Sequence, residues 1–424
     1  VKKFSFGKKE NTTVGTKPVS NSDLKKLGLS VEFVAPVETL DKLRENKFNI
    51  VICECIANAT FTQNKFKKQI LKKKQKYVMS SNIYQQLWYG NVEDKKGRSI
   101  TKKILKPVGS KFNNLYRPYI GQNLDNKTLL VSRTGGIGDL LFIQPNLIYL
   151  KEKYPTCKIL FACGPQYQDM IKYWDCVDKI LNLPHTLNHF LQADYHAYFE
   201  GVIERCREAH TQNAYNLFSR WLGLDLPDEK LVPFQTPSPK KLYYAQKFLM
   251  DHNISKDKML LFQLRASSPI RTPRPSLWKD LMLKLVDKGY QIVITDNPQQ
   301  APNIELFRQL VKSDQVYNFS TFSKTLDYTI AMAAFAKCCI STDSSLIHIA
   351  ASLDVPAFGL YGPFPGEIRL TTYDKVDWIN AKKECAPCFK HGGNPCNHST
   401  NGHSNCYDNI DLDECITKIE GLIK

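Results

Sequence analysis

The sequence predicts an α/β protein: two doubly wound domains facing a cleft, preceded by a small, strongly basic α/β segment. Three observations predict it. The chain has 424 residues, enough for two or three domains. Twice along it an apolar run, a Gly- or Ser-bearing turn, a helical repeat of apolar residues and a second apolar run follow one another. The charge is also unevenly placed, with 25 Lys and Arg against 9 Asp and Glu in residues 1–120, but 33 against 32 in the remainder.

Hydrophobic residues at 42% and charged residues at 23% fit a packed globular chain rather than a disordered one. The longest apolar stretch, Ile330 to Ile340, is broken by Lys337 and is too short to span a bilayer. The opening VKKFSFGKKENTTVGTK lacks the apolar core of a secretory signal. A cytoplasmic, reducing environment is expected, with peripheral contact at the inner membrane face compatible with the basic segment. Most of the 13 cysteines are scattered singly and read as small buried hydrophobes.

Residues 1–28 read as a polar arm, VEFVAP as a strand, Val37 to Glu45 as helix and FNIVICECI as strand. Residues 58–90 are expected to be helical and 91–120 irregular. The densest basic run, Lys65 to Lys76, is followed by Tyr77, Tyr84, Trp88 and Tyr89. Such a stretch could contact nucleic acid, an anionic membrane surface or an acidic glycan through residues 60–80, or be a solvated helix face. No Arg-rich or RNP-like motif accompanies it, which favours the solvated face and disfavours nucleic acid.

The second region opens near Leu124, where KTLLVSR reads as a strand, TGGIGD as a turn, DLLFIQPNLIYLKEKYP as a helix and KILFACG as a strand. Gly135, Gly136 and Gly138 would let the backbone approach an anionic or polar ligand at the helix start. A dinucleotide fingerprint would need a small residue where Leu141 stands and an acidic residue after the second strand, so NAD is not expected. Asp139 is either a first-turn carboxylate that steadies the helix dipole or a general base facing the cleft.

VPFQTPSPKK (232–241) reads as a linker. Beyond it MLLFQLR, YQIVITD, CCIST and VPAFGLYG read as strands, with helices at SLWKDLMLKLVDKG, LDYTIAMAAFAKC and SSLIHIAASLD. Asp343, Ser344 and Ser345 fall at a strand-to-helix join, where they would bind phosphate or simply cap the helix. His348 lies one turn in, on an apolar face that suits a core histidine. Gly362 opens a loop at a strand's carboxyl end, where open α/β sheets bind ligands. Near the C-terminus Cys385, Cys388, Cys396 and Cys406 are spaced C-x2-C-x7-C-x9-C, with His391, His398 and His403 between them. That spacing suits tetrahedral zinc or iron in a structural, closed site, and a reducing compartment disfavours disulfides.

TGGIGDLLFIQPNLIYLKEKYP resembles the first motif of the glycosyltransferase family 9 heptosyltransferases. STDSSLIHIAASLDVPAFGLYGP resembles their DTGxxHlAxAlxxPxxxLFGP motif, in the right order and at the usual separation. The resemblance covers about residues 125–424 and extends to the CAPC cluster, which in some autotransporter heptosyltransferases holds iron. It implies a GT-B-like fold with a basic accessory segment (1–120), an acceptor domain (121–240) and a nucleotide-sugar donor domain (241–424) carrying the Cys-rich loop 385–406. It implies inverting transfer of a sugar, most often heptose from ADP-heptose, to a saccharide or protein acceptor. No catalytic metal is expected. Asp139 matches the family's base. Ser344, Ser345 and His348 fall in the stretch that approaches the donor phosphates. Ser344-Ser345 replaces the family's Thr-Gly, and Arg265, Arg271 and Arg274 stand in the loop where the family often carries lysine. Two alternatives are a nucleotide-sugar epimerase-type enzyme, which would need additional carboxylates, and a non-catalytic protein binding glycan or nucleic acid through its basic segment.

Overall fold

The computed structural model describes residues 39–45, 50–64, 67–80, 89–93, 99–108, 115–390, 396 and 404–424. The arm at 1–28, the VEFVAP strand, Lys65, Tyr84, Trp88, His391, His398 and His403 lie outside them. The chain divides into two compact units, residues 1–226 and 227–424. Among the described residues no helix is long and apolar enough to cross a membrane.

In the first unit the helix Leu40–Glu45 precedes β1 (Ile50–Cys55), β2 (Ala59–Asn64), β3 (Lys67–Leu71), β4 (Lys76–Ser80), β5 (Tyr89–Glu93), β6 (Ser99–Lys103) and β7 (Leu105–Pro107). Among the described residues this corrects the expectation of a helix over 58–90, and strands replace irregular chain at 91–93, 99–103 and 105–107; residues 65, 66, 81–88, 94–98 and 109–114 lie outside the described residues. The lysines of KKQILKKKQK suit a helix by local propensity, but antiparallel pairing of β3 with β2 and of β4 with β1 outweighs it. Lys74 takes a left-handed turn conformation (φ 67°), and its N–H donates to the Cys55 carbonyl. The turn sends Tyr77, Val78 and Met79 into the core, where all three are buried, as β4 pairs antiparallel with β1.

The rest of the unit is a parallel sheet of β8 (Thr128–Ser132), β9 (Lys158–Cys163), β10 (Lys179–Asn182) and β12 (Tyr195–Tyr198), in the order β10-β9-β8-β12. The short β11 (His185–Thr186) crosses to pair with β4, completing the antiparallel sheet β11-β4-β1-β7. The two sheets share one core, in which Ile52, Val78 and Leu105 meet Leu130, Leu160 and Phe190.

The second unit carries β13 (Met259–Gln263), β14 (Gln291–Ile294), β15 (Val316–Asn318), β16 (Cys338–Thr342), β17 (Ala357–Tyr361) and β18 (Val376–Asn380). All pair in parallel, in the order β15-β14-β13-β16-β17-β18. Counted from the unit's first strand this is 3-2-1-4-5-6, the doubly wound order of nucleotide-binding sheets. β16 and β17 are buried at every residue, as a sheet covered on both faces requires. The stretch 232–241, expected as a linker, lies inside this unit, and its end enters the helix Pro239–Asp251.

In both units the order reverses beside the first strand, between β8 and β12 and between β13 and β16. Ligands of open α/β sheets bind outside the strand carboxyl ends at such a point.

Candidate active site

At the first reversal β8 hands over through Arg133, Thr134, Gly135 and Gly136 to the helix Ile137–Lys153. Gly136 has φ +83°, and a Cβ there would lie 2.1 Å from Asp139 Oδ2. Only glycine lets the Asp139 carboxylate fold back over the turn. Gly135 faces Tyr167, whose hydroxyl would lie 3.1 Å from an added Cβ. Gly138 belongs to the first turn of the helix.

Asp139 folds back onto Arg133, whose side chain is 4% exposed. Arg133 Nε donates to the Gly135 carbonyl at 3.1 Å. Its Nη1 donates to the Phe199 carbonyl at 2.6 Å and to Glu204 Oε2 at 3.3 Å. Its Nη2 donates to Asp139 Oδ2 at 2.6 Å and to Glu204 Oε1 at 2.7 Å. Each of the five guanidinium N–H bonds thus has an acceptor. Burial works against the charge, but Asp139 and Glu204 outweigh it and hold the guanidinium above its ordinary range.

A third carboxylate, Glu200, follows β12. Its Oε1 accepts from the Ser132 hydroxyl at 3.0 Å, while its buried Oε2 has no hydrogen-bond partner among the described residues. Burial pushes this carboxyl up to about 7, against the pull of Arg133. Sequence reasoning did not single out Arg133, Glu200 or Glu204. The available signal was a charge closing the apolar run TLLVSR and two acids just after the strand YHAY.

At the second reversal the Ser341 hydroxyl donates to the Gln263 carbonyl at 2.8 Å and lies 2.6 Å from Ser344 Oγ. Ser344 Oγ donates to Gln263 Oε1 at 3.1 Å. These bonds tie the ends of β13 and β16 together. Ser344 stands at the N-cap of the helix Ser345–Ser352, yet its side chain makes no capping bond.

Asp343 is buried. Arg271 Nη1 donates to its Oδ2 at 3.2 Å and to its carbonyl at 3.3 Å. Burial acts to raise this carboxyl, but Arg271 and the buried Arg369 outweigh it and hold it below the usual range. His348 is buried with Nδ1 2.9 Å from the Tyr373 hydroxyl, and burial lowers it to about 4, leaving a neutral ring.

The three loop arginines part company. Arg271 meets Asp343, Arg265 makes a two-pronged pair with Asp296 at 2.8 and 3.2 Å, and Arg274 lies 3.5 Å from Asp408. Arg369 and Gln263 were not anticipated.

Gly362, after β17, packs against the C-terminal segment. A Cβ on it would lie 2.8 Å from the Tyr407 ring and 3.2 Å from Cys406 Cβ. The Tyr407 hydroxyl lies 3.2 Å from Thr342 Oγ1, and the Phe389 N–H donates to the Pro363 carbonyl at 2.8 Å. The segments carrying Cys388 and Cys406 therefore both pack on the loop after β17. Burial raises the Cys406 thiol, and Cys385, Cys396 and Cys388 each add to that push, so the four sulfurs share one neighbourhood. Among the described residues, however, no three His, Cys, Asp or Glu groups are arranged to hold a metal ion.

Two parallel-sheet units, each with a polar cluster at its reversal point, define a GT-B-like α/β protein. Three solved structures share this fold. A glycosyl transferase of family 9 from Veillonella parvula has a TM-score of 0.55 at 15% identity, covering 71% of this chain and 98% of that one. The ADP-heptose lipopolysaccharide heptosyltransferase II of E. coli has a TM-score of 0.55 at 17% identity, covering 70% and 98%. The dodecameric, iron-containing glycosyltransferase TibC of enterotoxigenic E. coli has a TM-score of 0.50 at 12% identity, covering 88% and 90%.

The family-9 resemblance appears in sequence as well, over the stretch that carries the second motif. Residues 196–396 match the model of "Glycosyltransferase family 9 (heptosyltransferase)". Lipopolysaccharide heptosyltransferase 2 of Escherichia coli is 30% identical over 144 residues, 33% of this chain. Its Salmonella typhimurium counterpart is 32% identical over 89 residues, 20% of this chain. The matches span 40% and 25% of the length of these two relatives.

Proposed function

We propose that the protein is an inverting glycosyltransferase that moves a sugar, heptose from ADP-heptose, to a saccharide or protein acceptor. One observation carries this reading. The two family-9 motifs fall at the two reversal points, one presenting carboxylates and the other arginines. Asp139 takes the proton of an acceptor hydroxyl, the oxygen attacks the anomeric carbon, and the bond to the diphosphate breaks. Free N–H groups at the start of Ser345–Ser352 and the Arg271 guanidinium receive the leaving diphosphate. Gly135, Gly136 and Gly138 give the acceptor close access to the backbone, and Gly362 keeps the donor loop in place.

Cys385, Cys388, Cys396 and Cys406 are proposed to hold a structural zinc or iron. Thiolates suit either metal, and Cys385, Cys388 and Cys396 lie close enough to act on the Cys406 thiol. A bound ion would cross-link the two segments that pack on the Gly362 loop.

The test is a thermal-shift panel with ADP, UDP, GDP, CDP and ADP-heptose. Stabilisation by ADP and ADP-heptose alone, abolished by Ser344→Trp and Ser345→Trp, supports the reading; no shift with any nucleotide overturns it. Glu204, half-exposed beside Asp139, is the additional carboxylate that an epimerase-type enzyme would need. Nucleotide release that depends on an added acceptor separates transfer from that alternative.

A further inference from the structure

The geometry points to Glu204 as a positioning residue for Asp139, acting through the shared guanidinium of Arg133. The inference rests on Asp139 being the base of the proposed transfer.

Arg133 Nη2 has two N–H bonds. One goes to Asp139 Oδ2 at 2.6 Å and the other to Glu204 Oε1 at 2.7 Å. Glu204 also takes an Nη1 proton at 3.3 Å, so it grips the guanidinium at two points. The remaining two donors are fixed on the Gly135 and Phe199 carbonyls. The guanidinium is therefore held from four sides and cannot turn wholly toward Asp139. It lies 6.0 Å from the Phe218 ring centre, which covers it further. Both carboxylates remain partly exposed, Asp139 at 26% and Glu204 at 38% of the side chain, while the arginine between them is not. One cation shared between two anions leaves a net negative charge where the acceptor hydroxyl must lose its proton.

The groups acting on this centre are Arg133, Glu204 and Glu200, with Tyr167 beside Asp139. Replacing Glu204 by a neutral residue removes one repelling charge and leaves Arg133 to Asp139 alone. Asp139 then gives up its proton more readily and takes the acceptor's proton less readily. A lysine at position 133 offers only three donors in no fixed plane and cannot serve both carboxylates and both carbonyls.

The experiment follows the Asp139 carboxyl by carbon-13 NMR in full-length protein labelled at aspartate, with Asp139→Asn to assign the resonance. Glu204→Gln is expected to lower the Asp139 titration midpoint, and Glu204→Asp to restore part of it. In parallel, ADP release from ADP-heptose should slow about tenfold in kcat for Glu204→Gln with KM for the donor unchanged. The acidic limb of its pH–rate profile should move down with the NMR midpoint. An unmoved midpoint in Glu204→Gln overturns the inference. If wild-type protein fails to bind ADP-heptose, the transferase reading falls, while the NMR titration still decides whether Glu204 acts on Asp139. Glu204 is partly exposed, so its variants are expected to fold more readily than an Arg133→Lys variant, which alters the buried cation itself.

Discussion

The two reversal points share a topology and differ in charge. In the first unit one buried arginine serves Asp139 and Glu204, with Glu200 close by, so anions outnumber the cation. In the second, one buried aspartate lies under the influence of two arginines, Arg271 and Arg369, so cations outnumber the anion. On the proposed reading, sheet order sets where each ligand would bind, and the charges after the strands set what sort of ligand it would be. An anionic cluster suits taking a proton from a neutral hydroxyl, and a cationic one suits receiving a diphosphate.

The contrast breaks hardest with Asp139→Asn. Transfer should fall by about 10²–10⁴-fold while the ADP-induced thermal shift stays intact, because the proposed base and the proposed donor site belong to different units. Loss of the ADP shift in that variant would show that the assignment of roles is wrong.

Arg271→Met strikes the other site. ADP binding should weaken by about two orders of magnitude, read by calorimetry. Stability should fall as well, by about 3 kcal/mol, since Asp343 is left buried with less compensation. The Asp343 carboxyl is held below its ordinary value, so its contribution is present at neutral pH and is lost as pH falls below about 4. Urea titrations of wild type and variant should therefore converge toward acid pH.

Gly136→Ala tests the same contrast more gently. The added methyl would overlap the Asp139 carboxylate, and the backbone there is left-handed. Turnover should drop about tenfold or more with ADP binding unchanged, and melting should report a loss of about 1–2 kcal/mol.

Glu200→Gln is expected to give the smallest change in activity and an informative one in stability. A carboxyl raised in the folded state favours the fold at low pH and loses that advantage as pH rises from its ordinary 4.5 through about 7. The variant should therefore be more stable than wild type at pH 8, by an amount on the order of 2–3 kcal/mol, and equal to it near pH 4. His185 and His196 work in the opposite sense. Burial lowers them to about 3 and about 4 from 6.5, so they cost stability as pH falls below 6.5. Melting curves between pH 4.5 and 8 should show the two trends crossing.

The parallel sheets were legible because their strands are buried on both faces and read as unbroken apolar runs such as TLLVS, MLLFQ and AFGLY. The antiparallel sheet was not. KKQIL and KYVMS mix lysine with apolar residues, and what makes them strands is pairing, KKQIL with the preceding β2 and KYVMS with β1. At the site, Asp139 and Asp343 were visible because each opens a helix after an apolar run. Arg133, Glu200 and Glu204 were not, because 66 or more residues separate the arginine from its partners beyond β12. Of the three arginines in the loop after β13, spacing could not say which one meets Asp343; the fold brings Arg271 there.

The antiparallel sheet over residues 50–107 also bears on how the protein is made. Val78, Ile52 and Leu105 leave the ribosome well before Leu130, Leu160 and Phe190, the side chains they rest against. Its last strand, β11, is later still, at residues 185 and 186. During synthesis the basic segment must therefore carry an uncovered apolar face and an open strand edge until the parallel sheet emerges.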